Sequence, residues 1–112
     1  FNDLARTLIH YDANINVRNE DGVTTLLYAA MVGNTRMVGI LLGLGVNVNE
    51  ADKFGVTPLH AAATGGHVST ARLLLRRGAD INARQADNWT PIRMAQEYNR
   101  TKVIALLQRW GR

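Results

Sequence analysis

The apolar residues of the chain recur at helical spacing in short segments, and glycine and polar residues separate these segments. The best-defined segment predicts a helix over 58–64, with Thr57 as its N-cap and a proline at its first position. A second helix is predicted over 69–76, with Leu74 on an apolar stripe, and Gly78 ends it. Helices of two or three turns are too short to be stable alone, so neighbouring segments must pack on one another.

The same pattern returns at an unbroken step of 33 residues. The columns at this spacing include Thr24, Thr57 and Thr90; Leu26, Leu59 and Ile92; Ala29, Ala62 and Ala95; Leu41, Leu74 and Leu107; and Asn16, Asn49 and Asn82. A repeated unit that cannot bury its own apolar face stacks on its copies, which is the principle of a solenoid. The spacing therefore predicts a stack of helix pairs.

The glycine columns support the same register independently of the apolar residues. Asn88 and Asn99 each stand where the other repeats have glycine, and asparagine is among the residues that best tolerate positive φ. We therefore expect left-handed backbone in these columns, at turns and helix ends. The columns are Gly22, Gly55 and Asn88; Gly33, Gly66 and Asn99; and Asp12, Gly45, Gly78 and Gly111.

These residues resemble the ankyrin repeat, whose period is 33 residues and whose hallmark is T-P-L-H-x-A. The resemblance is carried by Thr57-Pro58-Leu59-His60-Ala61-Ala62, then Gly66-His67, then Gly78-Ala79-Asp80-Ile81-Asn82. It implies an all-α repeat solenoid of helix-turn-helix repeats with β-hairpin or turn connectors. The chain would hold about 3.4 such repeats in a single domain over 1–112.

The repeat boundaries follow from this register. We expect a partial repeat at 1–18, full repeats at 19–51 and 52–84, and a C-terminal capping repeat at 85–112. A terminal repeat has one face in water, so polar substitutions in the last repeat are typical of a cap. These are Arg93, Gln96, Glu97 and Gln108. The N-terminal end has no such cap, so Leu4, Leu8 and Ile9 should be less protected from exchange than Leu74.

The composition of the chain argues against catalysis and metal binding. With 112 residues, 46% hydrophobic and 20% charged, it has the composition of one globular domain. It contains no cysteine, which excludes disulfides, thiolate metal sites and a thiol nucleophile, and no apolar run is long enough for a membrane span. His60 and His67 belong to the repeat motif and His10 stands alone. We expect no enzyme activity, no cofactor and no metal.

The resemblance instead implies a protein–protein interaction module that binds through a concave groove of hairpin tips and first helices. We expect a protein partner, a monomeric chain and an intracellular location. The columns that vary between repeats supply the predicted contact residues. They are Arg18, Glu20, Asp21, Val23, Met31, Val32, Lys53, Phe54, Val56, Thr64, Arg84, Asp87, Trp89, Glu97 and Tyr98.

Aromatic residues carry most weight in this set, because they dominate binding hot spots. Phe54 and Trp89 lie near predicted hairpin tips, and Tyr98 lies at a helix end. Both aromatics at the tips have an alternative role, which is to pack over the adjacent hairpin and stiffen it. We favour binding for Phe54 and leave the two roles of Trp89 open.

Two other functions remain open. Residues 1–56 carry a net charge of −2 and residues 57–112 a net charge of +6, so a basic C-terminal face could bind nucleic acid or an acidic surface. No interleaved aromatics accompany its cations, which disfavours nucleic acid. Those cations are Arg72, Arg76, Arg77, Arg100, Lys102 and Arg109. The chain could also be an engineered or excised repeat scaffold without its own native partner, because it begins with Phe1 and half a repeat.

Overall fold

The computed structural model describes residues 18–110, and there the chain forms six α-helices. In chain order they are α1 (Thr25–Val32), α2 (Thr35–Gly43), α3 (Pro58–Gly65), α4 (Val68–Arg76), α5 (Pro91–Glu97) and α6 (Thr101–Trp110). The helices predicted over 58–64 and 69–76 correspond to α3 and α4, each within one residue of the predicted ends.

The helices α1, α3 and α5 all begin at the same kind of N-cap. A threonine caps each helix, and its hydroxyl accepts the backbone N–H three residues later. The capping residues are Thr24, Thr57 and Thr90, and the distances from their Oγ1 atoms to the accepted nitrogens are 3.1, 3.3 and 3.3 Å. The sequence repeat therefore corresponds to a repeated cap.

The expected left-handed positions are confirmed. Gly33 and Gly66 end α1 and α3 with φ of 75° and 73°. Asn88 and Asn99, which replace glycine in two of the columns, adopt φ of 69° and 57°. The substitutions therefore preserve the backbone path, as their tolerance of this region requires.

The helices stack in two rows. The inner row is α1, α3 and α5, the outer row is α2, α4 and α6, and each inner helix also packs on the outer helix of its own pair. Ala29, Ala62 and Ala95 are fully buried between the rows, and their small side chains let the inner helices approach closely. Leu41, Leu74 and Leu107 fill the equivalent core position of the outer row. Because each layer buries the next, the core is continuous along the stack.

The connectors are turns within residues 18–110, where the only ladder-type pairing is an isolated antiparallel bridge between Arg18 and Thr24. Successive turns are joined by backbone hydrogen bonds. The Lys53 N–H donates to the Asp21 carbonyl at 3.0 Å, and the Ala86 N–H donates to the Phe54 carbonyl at 2.8 Å. The turn tips therefore form a continuous edge beside the inner helices.

Some predictions lie outside the described residues. They concern the partial repeat before Arg18, with Leu4, Leu8, Ile9 and His10, and the glycine-column members Asp12 and Gly111. None of the helices between residues 18 and 110 is long and apolar enough to cross a membrane.

Candidate functional site

A cleft of about 330 Å³ opens between the inner helices and the turn tips. We call this cleft, with the tips around it, the groove. Its walls come from the three inner helices and the turns that precede them, so only the stacked protein forms it. The lining residues are Val23, Leu27, Met31, Asp52, Val56, Ala61, Thr64, Gly65, Gln85 and Met94.

Four of the predicted contact residues line this cleft, namely Val23, Met31, Val56 and Thr64. Sequence reasoning left out the framework positions Leu27, Ala61 and Met94, and the turn residues Asp52 and Gln85. The repeat columns could have indicated two of them, because Leu27 stands in the column of His60 and Met94 in the column of Ala61. Large apolar residues there replace a polar or small one, and the change enlarges the apolar wall of the groove.

Ion pairs order the rim of the groove on its N-terminal side. The Arg18 guanidinium donates to Glu50 Oε1 at 2.7 Å and to the Ala51 carbonyl at 2.7 Å. Lys53 Nζ lies 3.0 Å from Asp21 Oδ1 and 5.1 Å from the centre of the Phe54 ring. Exposed pairs of this kind add little stability, but they fix where the rim charges stand.

The predicted aromatic contacts differ in exposure. Phe54 is 53% exposed at a turn tip, and Tyr98 is also exposed, at the end of α5. Trp89 is half-buried, and the Arg93 guanidinium stacks 4.8 Å from its ring centre. Tyr28, 59% exposed on α1, was not predicted as a contact residue. Phe54 therefore presents the larger free aromatic surface of the two tip residues.

The remaining predicted contacts do not line the cleft. Val32, Glu97 and Tyr98 lie at the ends of α1 and α5, and all three are exposed. Glu20 and Arg84 are exposed residues of the turns. These positions surround the groove without forming its walls.

Asp87 stabilises its own turn. Its Oδ1 accepts the Trp89 N–H at 3.0 Å and a Gln85 side-chain N–H at 3.1 Å. The hydrogen bond from the Trp89 backbone, with that from Gln85, lowers the pKa of Asp87 below its ordinary value. The carboxylate therefore stays ionised at the rim of the groove.

The two described histidines have structural partners in the neighbouring repeats. His60 Nε2 donates to the Trp89 carbonyl at 2.8 Å, and His67 Nε2 donates to the Met31 carbonyl at 3.0 Å. Both hydrogen bonds therefore join one repeat to the next. Within residues 18–110, no three His, Asp or Glu side chains gather as metal ligands would.

The helix pairs, caps and stacked turns define an ankyrin-type repeat protein. A family model described as ankyrin repeats in three copies matches residues 1–85 and 45–111. The chain therefore belongs to the ankyrin repeat family. Members of this family are generally protein–protein interaction modules and are typically not catalytic. No curated protein matches the chain in sequence.

Proposed function

We propose that this chain binds a segment of a partner protein in the groove, with the cleft as the anchoring pocket and the turn tips as its rim. The observation that supports this most is the apolar cleft itself, whose lining includes Met31 and Met94. An apolar patch that stays exposed on a folded protein is typical of an interaction site. The fifteen predicted contact residues remain our proposed contact set, with Met94 added.

The side chains of the groove suit a peptide-like partner. Met31 and Met94 are flexible and polarisable, so they adapt to an inserted side chain. Phe54 offers an exposed ring at the rim, where aromatic contacts supply much of the binding energy of typical interfaces. An extended segment that lies along the tips would contact several repeats at once.

The test uses peptides selected for binding to the wild-type protein from a random peptide library. We expect Met31→Lys to weaken these peptides about tenfold or more, because it places a charge at the apolar cleft. Leu44→Lys is the matched control, since Leu44 is 48% exposed against 49% for Met31 but does not line the cleft. If Leu44→Lys weakens binding and Met31→Lys does not, the groove is not the binding site.

A second candidate function belongs to the outer helices. None of α2, α4 and α6 contains Asp or Glu, and their exposed cations are Arg36, Arg72, Arg76, Lys102 and Arg109. Arg36 and Lys102 occupy first turns, where the helix dipole disfavours cations, so helix stability does not explain them. This basic face would bind an acidic partner, and binding of poly-glutamate that persisted at high salt would contradict that role.

A further inference from the structure

One column of the repeat contains the turn residues Asn19, Asp52 and Gln85. The first two accept the same pair of backbone hydrogen bonds in their turns. Asn19 Oδ1 accepts the N–H groups of Asp21 and Val23, each at 2.9 Å. Asp52 Oδ1 accepts those of Phe54 and Val56 at 2.8 and 3.0 Å. In both repeats one side-chain oxygen closes the turn, as asparagine and aspartate commonly do.

Gln85 departs from this pattern. Asp87 accepts the Trp89 N–H in its place, and the Gln85 side-chain amide donates to Asp87 at 3.1 Å. The other end of that amide, Oε1, is buried and has no donor among residues 18–110. A buried acceptor without a partner costs free energy, so this oxygen offsets part of the stabilisation that the amide gives the turn through Asp87.

Two of the polar side chains that line the cleft have an acceptor oxygen that receives no hydrogen bond in the described part of the chain. The second carboxylate oxygen of Asp52 receives no hydrogen bond there, and the Gln85 oxygen is also unmatched. The Thr64 hydroxyl donates its hydrogen to the His60 carbonyl at 2.9 Å, which leaves only its lone pairs. The nearby Lys53 ammonium is already paired with Asp21. An occupant of the cleft must therefore bring donors.

The walls add a second requirement. Leu27, Met31, Val56, Ala61 and Met94 form an apolar surface around the acceptors. A side chain that combines a long apolar stem with a charged donor satisfies both conditions, as lysine and arginine do.

Building on the proposed function, we propose that the cleft takes an arginine or lysine side chain of the partner segment. The aliphatic stem packs between Met31 and Met94, and the cationic head binds the Asp52 carboxylate. Gln85 also lines the cleft, and its unmatched oxygen is the second acceptor proposed for the same head group. Binding thus satisfies an acceptor that the free protein leaves unmatched.

The first test uses library peptides whose binding depends on Met31. Each arginine is replaced by citrulline and each lysine by norleucine, which keep the aliphatic stem of the side chain and remove its charge. We expect one such replacement to weaken binding about tenfold, as the loss of a charged hydrogen bond would. If none does, the cation inference is overturned while the proposed function stands. Peptides that bind without needing Met31 would overturn the proposed function instead.

The second test uses variants that the chain itself suggests. Asp52→Asn copies Asn19, so it keeps the turn and removes the charge, and we expect it to weaken the cationic peptides about tenfold. Gln85→Asn copies the same residue, and we expect it to raise the thermal midpoint and weaken binding together. An Asp52→Asn variant with unchanged affinity, or a Gln85→Asn variant that is less stable and binds as before, would contradict the proposal.

Discussion

At the scale of single residues, one column shows how a replacement in the repeat changes the chemistry of a site. Leu27 and His60 occupy equivalent positions, and both are buried. Unlike leucine, the imidazole accepts the Thr57 N–H at Nδ1 at 3.2 Å and donates from Nε2 to the Trp89 carbonyl at 2.8 Å. Burial lowers the pKa of His60 below 6.5, so the neutral ring is the folded form.

This pKa predicts the pH dependence of stability. Because the folded pKa lies below the unfolded value, the stabilisation is fully present above pH 6.5 and is lost as the pH falls through 6.5 towards the folded pKa. His60→Leu, which copies Leu27, should reduce this loss and cost about 1–3 kcal/mol at neutral pH through the missing hydrogen bonds. Urea unfolding of both proteins across this pH range is the measurement, and equal pH slopes would contradict the prediction.

At the scale of elements, the ends of the inner helices are where the repeats are joined. Two of these helices end in a turn, and the side chain that follows each turn forms a hydrogen bond to the preceding repeat. His67 binds the Met31 carbonyl, and Arg100 Nε donates to the Thr64 carbonyl at 2.9 Å. The left-handed residue before each of them, Gly66 or Asn99, directs the chain into this contact. The backbone at these turns therefore positions the contacts between layers.

We expect the residue at position 99 to affect the stability of the protein only through its backbone conformation. Asn99→Gly should stabilise the protein by about 0.5–1 kcal/mol, because glycine adopts φ of 57° without steric strain. Asn99→Ala should destabilise it by about 1 kcal/mol, since alanine tolerates this region less well than asparagine does. Thermal unfolding that ranked alanine at or above asparagine would contradict this explanation.

At the scale of the whole molecule, the stack extends along an axis of 39 Å, and within residues 18–110 each layer packs mainly on its neighbours. The stability of such a protein is close to a sum of repeat and interface terms, so one end can open without the other. The last layer depends on α3 and α4, and on cross-repeat bonds such as that from Arg100 to Thr64.

Weakening this interface should therefore have a local effect. Arg100→Ala is expected to speed amide hydrogen exchange within α5 and α6 several-fold while α1 and α2 keep their protection. Arg109→Ala removes an exposed cation from α6 without removing a cross-repeat bond within residues 18–110, so its exchange rates should match the wild type. Uniform acceleration across all six helices would show that the stack unfolds as one unit.

The candidate site was only partly predictable from the sequence. Exposure of Met31, Phe54 and Tyr98 follows from their columns, and the structure confirms it. The cleft-lining role of Gln85 and Asp52 does not follow, because both positions have the spacing of ordinary turn residues. Their significance depends on which oxygen is already bonded, and that is decided by Asp87 and by the stacking of neighbouring turns.

The repeat, the helix caps and the left-handed positions follow from the sequence alone. These are local properties, fixed by the side chain and the steric limits of a few neighbouring residues, so a pattern of Thr, Gly and Asn specifies them. The place of the groove, the pairing of the rim charges and the unmatched acceptor emerge only in the folded stack. Those depend on side chains 29 to 36 positions apart being brought into contact, and no local preference encodes such distances.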